Sequence, residues 1–277
     1  MPRCEVCFRH CELSEGQTGA CGARICSGGK VVPKSFGLLS AVALDPIEKK
    51  PLNNFFPGSR ILSVGGYGCN LRCPFCQNWQ ISWSKEAMQF RGGTQLSPSG
   101  LTALAQQYIP QGNIGIAFTY NEPLIHIEYI EQTAQLSHSK GLKNVLVTNG
   151  CADVGMLDRL NGLIDAMNID LKSFNENTYK TKLGGDLETV MEFIEGAVRM
   201  CHVEITNLIV PGISDSEEEF DSMTDWIAQL GRDIPLHITR FFPRFKMQGA
   251  NATDTALIRR FSEKAKQKLR YVYIGNC

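Results

Sequence analysis

No stretch of this 277-residue chain stays apolar over the ~18 residues of a membrane helix, and its opening, MPRCEVCFRH, has no apolar signal-peptide core. The expectation is a cytoplasmic protein with no membrane span. Net charge is also lacking, since 28 basic residues balance 28 acidic ones. A general nucleic-acid binder needs a basic surplus against phosphate, so no nucleic-acid partner is expected. Internal repeats and low-complexity tracts are absent. So is a GxGxxG after the first strong strand pattern. The nearest string, GGYGCN at 65–70, runs into cysteines instead of a helix start, which disfavours a dinucleotide fold.

What is plentiful is cysteine, with 11 residues. A reducing cytosol keeps thiols free, so their clustering speaks for metal rather than disulfides. Cys4, Cys7, Cys11, Cys21 and Cys26 crowd the head of the chain, and Cys69, Cys73 and Cys76 share one short loop. Cys201 ends an apolar helical pattern and reads as core; Cys151 reads as packing or as a substrate contact.

Three stretches follow one another: a Cys-rich metal-binding head (1–29), a β-rich connecting segment (30–59) and a long stretch (60–277) in which strand and helix patterns alternate. In the last, ILSVGG, NIGIAFTY, KNVLVTN, LIDAMNIDLK, HVEITNLIV and PLHITRFF read as strands, with YVYI as a short final one. Between them lie helical patterns, one opened by Ser97 and Pro98 and another by a capping box at Asp215 and Glu218. Mostly apolar strands between helices predict an α/β fold with a covered parallel sheet. The strand ends carry unusual clusters, GYGCN, TYNEP, TNG, DLK, VPG and RFFP, on the edge that holds active sites in such folds.

The loop GYGCNLRCPFCQNW sets three thiols in eight residues with no nearby fourth. A closed zinc site or an ordinary iron–sulfur cluster takes four protein ligands, so one metal position is left for chemistry. The competing reading is a zinc site completed by Cys4 or Cys151.

CNLRCPFCQN resembles the C-x3-C-x-aromatic-C motif of radical S-adenosylmethionine (SAM) enzymes. The resemblance implies a partial parallel (β/α)6 TIM-like barrel, with a 4Fe-4S cluster on Cys69, Cys73 and Cys76. SAM would then be chelated by the free iron and cleaved by one electron to a 5′-deoxyadenosyl radical that abstracts hydrogen. It places Phe75 against adenine and Glu122 of TYNEP on the methionine ammonium; Tyr120 and Asn121 stand where the family has glycines. TNG (Thr148, Asn149) and DLK (Asp170, Lys172) are similar to the pyruvate formate-lyase activating enzymes. There Lys172 would balance the methionine carboxylate or reach the ribose, and Asp170 would orient that network or help hold a cation. His237, at a strand end, also resembles that subgroup as a cofactor contact, or reads as a satisfied barrel-lining histidine.

In the head, Cys4, Cys7, Cys11 and Cys21 fit a zinc site or a second iron–sulfur cluster, with His10 and Cys26 as spares, or else stay free thiols. LSEGQTGACGAR and DPIEKKPLNNFFPG narrow the resemblance to the radical SAM component of the AmmeMemoRadiSam system. That implies AMMECR1-like and MEMO1-like partners, a flavodoxin- or ferredoxin-type electron donor, and a small molecule or a glycyl-radical enzyme as substrate. Lys49 and Lys50 read as solvated, or as leaning over the barrel mouth towards an anionic substrate. The rival from another class is a non-catalytic zinc or iron–sulfur scaffold.

Overall fold

Runs of Val, Ile and Leu pack as strands only if both faces are covered, and this chain covers them differently. The computed structural model describes residues 1–84, 89 and 92–277. Its strands are β1 (Arg24–Ser27), β2 (Lys30–Pro33), β3 (Leu38–Leu39), β4 (Ala41–Pro46), β5 (Arg60–Gly65), β6 (Thr94–Gln95), β7 (Asn113–Phe118), β8 (Lys143–Thr148), β9 (Ala166–Asp170), β10 (His202–Ile209), β11 (Leu236–Arg240) and β12 (Val272–Gly275). The main sheet runs β12-β11-β10-β9-β8-β7-β5-β4. All its pairings are parallel except β4 with β5, where the connecting segment adds an antiparallel edge. The α/β expectation with a parallel sheet holds, and the β-rich connecting segment supplies β4 as an edge of that sheet.

Register separates the two faces. Ala117, Val145 and Ala166 pair across β7, β8 and β9, and they pack with Ile47, Leu52 and Phe55 of the connecting segment. Leu146, Met167, Ile169, Ile205 and Ile238 alternate with them, point the other way, and are fully buried in the larger core with the helices. The first set faces the barrel interior, and residues 47–55 form its floor at the amino ends of the strands. On that floor Glu204, 0% exposed, accepts the backbone N–H groups of Asn53 (3.0 Å) and Asn54 (2.7 Å). Two histidines complete its shell, His202 at 3.0 Å and His237 at 2.6 Å.

The helices start where side chains catch their free amides. Ser97 accepts from Gly100 N ahead of Pro98–Gln107, and Asp186 from Thr189 N ahead of Leu187–Met200. The expected start at Asp215 is corrected by one residue: Ser216 caps Glu217–Leu230, because the Asp215 carboxylate is taken by Gly212 N at 2.9 Å in the preceding turn. The head folds around the β1–β2 hairpin, turned by Gly28 and Gly29 at φ 61° and 72°. Buried Arg24 clamps the hairpin to the barrel through a two-pronged contact with Glu128 (2.9 and 2.6 Å). Among the described residues no helix is long and apolar enough to cross a membrane.

Candidate functional site

The cysteine loop leaves the carboxyl end of β5 and is tied down before its first thiol. Asn121 accepts from Gly66 N (2.8 Å) and donates to Gly68 O (3.0 Å). His126 donates its Nε2–H to Tyr67 O at 2.8 Å, since a carbonyl only accepts. Gly68 has φ +91°, and a Cβ there would sit 2.6 Å from Cys21 O, so glycine is required. The Cys69 amide itself donates to Cys21 O at 3.2 Å, which seats the head directly on the loop.

Beyond Cys69 an amide ladder joins the loop to the end of β8. Asn149 Nδ2 donates to Asn70 Oδ1 (2.9 Å), Asn70 Nδ2 to Cys151 O (2.8 Å), and Cys151 N to Asn149 Oδ1 (2.9 Å). The Arg72 guanidinium donates to Cys69 O (2.7 Å), Leu71 O (2.8 Å) and Ala20 O. Asn78 Nδ2 ties the far side to Tyr120 O at 2.8 Å.

Cys69, Cys73 and Cys76 lie within electrostatic reach of one another. Among the described residues no three His, Cys, Asp or Glu side chains converge on a single-ion site. A cubane asks for something else, because each sulfur binds a different iron. The donor set suits it: Leu71 N (3.4 Å) and Asn149 Nδ2 (3.7 Å) point at the Cys69 sulfur, as polar hydrogens do towards a thiolate. Burial pushes all three thiols up, Cys73 to about 11, so iron rather than water would displace their protons.

Around this loop the carboxyl ends of β7, β8 and β9 bring three more expected groups together. Glu122, 3% exposed, accepts from Thr148 Oγ1 (2.8 Å), Asn149 N (2.8 Å) and Leu124 N (3.0 Å). A carboxylate has about four acceptor positions, so one is left. Burial pushes its pKa up to about 7, and these donors offset that only in part. Lys172 Nζ holds Asp170 Oδ2 at 2.8 Å, and its charge reaches Cys73, Cys76 and Glu122. Phe75 is 6% exposed and packs into the core beside the loop.

Other expected groups lie elsewhere. His237 is corrected: it occupies the amino half of β11, bonded to Glu204 and stacked on Tyr273 at 5.1 Å, on the barrel floor rather than beside Glu122 and Lys172. Its inward register opposite Thr206 sends it down, because the strand continues three residues past it. Lys50 is also corrected: it is neither solvated nor at the mouth but 2% exposed, paired with Asp45 at 2.8 Å, while Lys49 is exposed on the same carboxylate at 2.9 Å. Cys4, Cys11 and Cys21 lie within electrostatic reach of Cys7, and Cys4 of Cys21. Cys26 turns away to Glu15 at 3.7 Å, and His10 to Glu5 and Asp153. Cys151 is fully buried against the Asp186 backbone. Sequence reasoning passed over Asn70, Asn78, Asn121 and His126; the Asn in CNLRC and in TYNEP was in plain view, but nothing local says whose carbonyl it will hold.

Residues 63–227 match the radical SAM superfamily. An uncharacterised protein of Methanocaldococcus jannaschii is 36% identical over 278 residues, 99% of this chain and 81% of that one. A pyruvate formate-lyase-activating enzyme of Clostridium pasteurianum is 24% identical over 178 residues, 63% of this chain and 71% of that one. Among solved structures, SuiB of Streptococcus suis bound to S-adenosylmethionine superposes with a TM-score of 0.60 at 13% identity, over 78% of this chain and 52% of that one, a likeness of fold alone.

Proposed function

The chain belongs to the radical SAM superfamily, a family of enzymes, and from that premise we propose that Cys69, Cys73 and Cys76 carry its 4Fe-4S cluster and that the surrounding rim seats SAM. When bound, cluster and SAM supply one-electron cleavage to a 5′-deoxyadenosyl radical that abstracts hydrogen from a substrate. Glu122 offers its remaining acceptor position to the methionine ammonium, a charge-assisted contact. Thr148 and the Asn149 amide aim that carboxylate, and the Asn149 side chain steadies the Cys69 sulfur. Lys172, anchored on Asp170, faces the methionine carboxylate or the ribose, and Phe75 borders the adenine. The carrying observation is the convergence of three clustered thiols, a carboxylate with a vacant acceptor position and a lysine at one barrel mouth. Anaerobic reconstitution with iron and sulfide tests it: about four iron atoms per chain and 5′-deoxyadenosine on reduction are expected. A loop without iron, or iron without SAM cleavage, overturns the reading.

The electron would enter over the outer face of the loop. Arg9 Nε touches Asn70 O (3.0 Å), Arg72 touches Cys69 O, and Lys246 N touches Pro74 O (3.0 Å). Among the described residues none of the three has a carboxylate partner, so an acidic flavodoxin or ferredoxin finds a basic collar there. As for the acceptor of the radical chemistry, the head and connecting segment favour the AmmeMemoRadiSam reading, in which AMMECR1-like and MEMO1-like proteins handle a small molecule. The likeness to activating enzymes favours a second reading, a glycyl-radical enzyme as substrate. A glycyl EPR signal on a co-purified protein selects the second; a small-molecule product formed only with the two partners selects the first. The head thiols remain an open metal site in this proposal, decided by whether purified protein carries zinc or more than four irons.

A further inference from the structure

The γ-turn between β7 and Glu122 holds the wrong kind of residue for its shape. Tyr120 has φ +70°, and the Asn121 amide closes a three-residue turn on Thr119 O at 3.0 Å. That is the rare, strained sense of the turn, natural for glycine and unfavourable for a bulky side chain. Strain of this kind persists only where neighbours over-determine it.

Here the neighbours come from the connecting segment. The Tyr120 hydroxyl donates to Asp45 Oδ2 at 2.7 Å. Lys50 Nζ donates to the same oxygen at 2.8 Å and stands 4.8 Å from the Tyr120 ring centroid. β5 gives way as well: a Cβ on Gly65 would lie 2.9 Å from the Tyr120 ring. A buried lysine–aspartate pair is a costly thing to place inside a barrel. On the floor and wall of this one the pair is met by the exposed Lys49 Nζ on Asp45 Oδ1 at 2.9 Å and by the phenol on Asp45 Oδ2. The turn it fixes directs two functional side chains at once, Asn121 back to Gly66 and Gly68, and Glu122 across to Thr148 and Asn149.

We propose that Asp45 and Lys50 are positioning residues for the SAM site, acting through Tyr120 to hold the γ-turn that aims Glu122 and straps the cysteine loop. The inference rests on the reading that Glu122 receives the methionine ammonium. It makes a segment outside the family-matched residues 63–227 part of the cofactor site.

A mutant cycle on the reconstituted enzyme tests it, with SAM affinity by calorimetry and iron content as the two readouts. Asp45→Asn weakens SAM binding about tenfold with iron retained. Tyr120→Gly, which adopts the turn without an anchor, stays within about threefold of the parent protein. The double variant Asp45→Asn/Tyr120→Gly binds no more weakly than Tyr120→Gly alone. Should Asp45→Asn fail to fold, Tyr120→Phe, which removes only the hydroxyl, takes its place and binds more weakly than Tyr120→Gly. Parent-like SAM affinity in Asp45→Asn or Tyr120→Phe overturns the proposal, as does an Asp45→Asn penalty that persists unchanged in the glycine background. Failure of the parent protein to bind SAM sinks the underlying reading instead, a distinct result.

Discussion

Glu122 at the barrel mouth and Glu204 on its floor are built alike and behave in opposite ways. Each is buried, and each accepts two backbone N–H groups. Burial raises both carboxyls. On the floor, hydrogen bonds from His202, His237 and the Asn54 amide overcome it and pull Glu204 down to about 2. At the mouth, Asn149, Leu124 and Thr148 do not suffice, and Glu122 stays at about 7. The floor carboxylate has received from the protein the hydrogen-bond donors it needs. The mouth carboxylate has only the through-space charge of Lys172 and one acceptor position to spare, and a ligand ammonium is the kind of group that would complete it. One network is complete within the protein; the other, in the proposed function, is completed by the cofactor.

The sharpest break in this comparison is at the thiols. Cys73→Ala is expected to lose the cluster and lower 5′-deoxyadenosine formation about a thousandfold, measured by iron content and product assay, while Tm falls little. Glu122→Gln comes next: it is expected to weaken SAM binding by about 30-fold in calorimetry, the worth of one charge-assisted hydrogen bond, without lowering thermal stability.

Glu204→Gln should do the converse, leaving SAM affinity intact and costing about 3 kcal/mol in denaturant unfolding at pH 7. The sign follows from a folded pKa of about 2, below the usual 4.5. The stabilisation is complete above pH 4.5 and is lost as the pH falls towards 2, so the parent protein weakens over that window and the variant does not. Lys246→Glu gives the smallest effect. Reduction of the cluster by an acidic flavodoxin slows about tenfold at low salt, whereas reduction by a small inorganic reductant is unchanged.

Much of the fold was legible because its signals are local. Apolar runs between amphipathic stretches mark the strands, and Ser97–Pro98 marks a helix start. The capping error at Asp215 is equally instructive: Asp and Ser are both good caps, and only the Gly212 turn, which engages Asp215 first, decides between them. β4 was visible as a β-like run, but not its antiparallel place beside β5.

By itself, then, the sequence determined the thiol spacing, the strand–helix alternation and the identity of the groups that crowd the strand ends. Those depend on neighbours along the chain. Only the tertiary structure decided that His237 faces the floor and that Lys50 is buried against a tyrosine. It alone set Asn70, Asn121 and His126 as the ties of the cysteine loop. The physical reason is that a side chain's partner across tens of residues is fixed by register and burial, which no local pattern encodes.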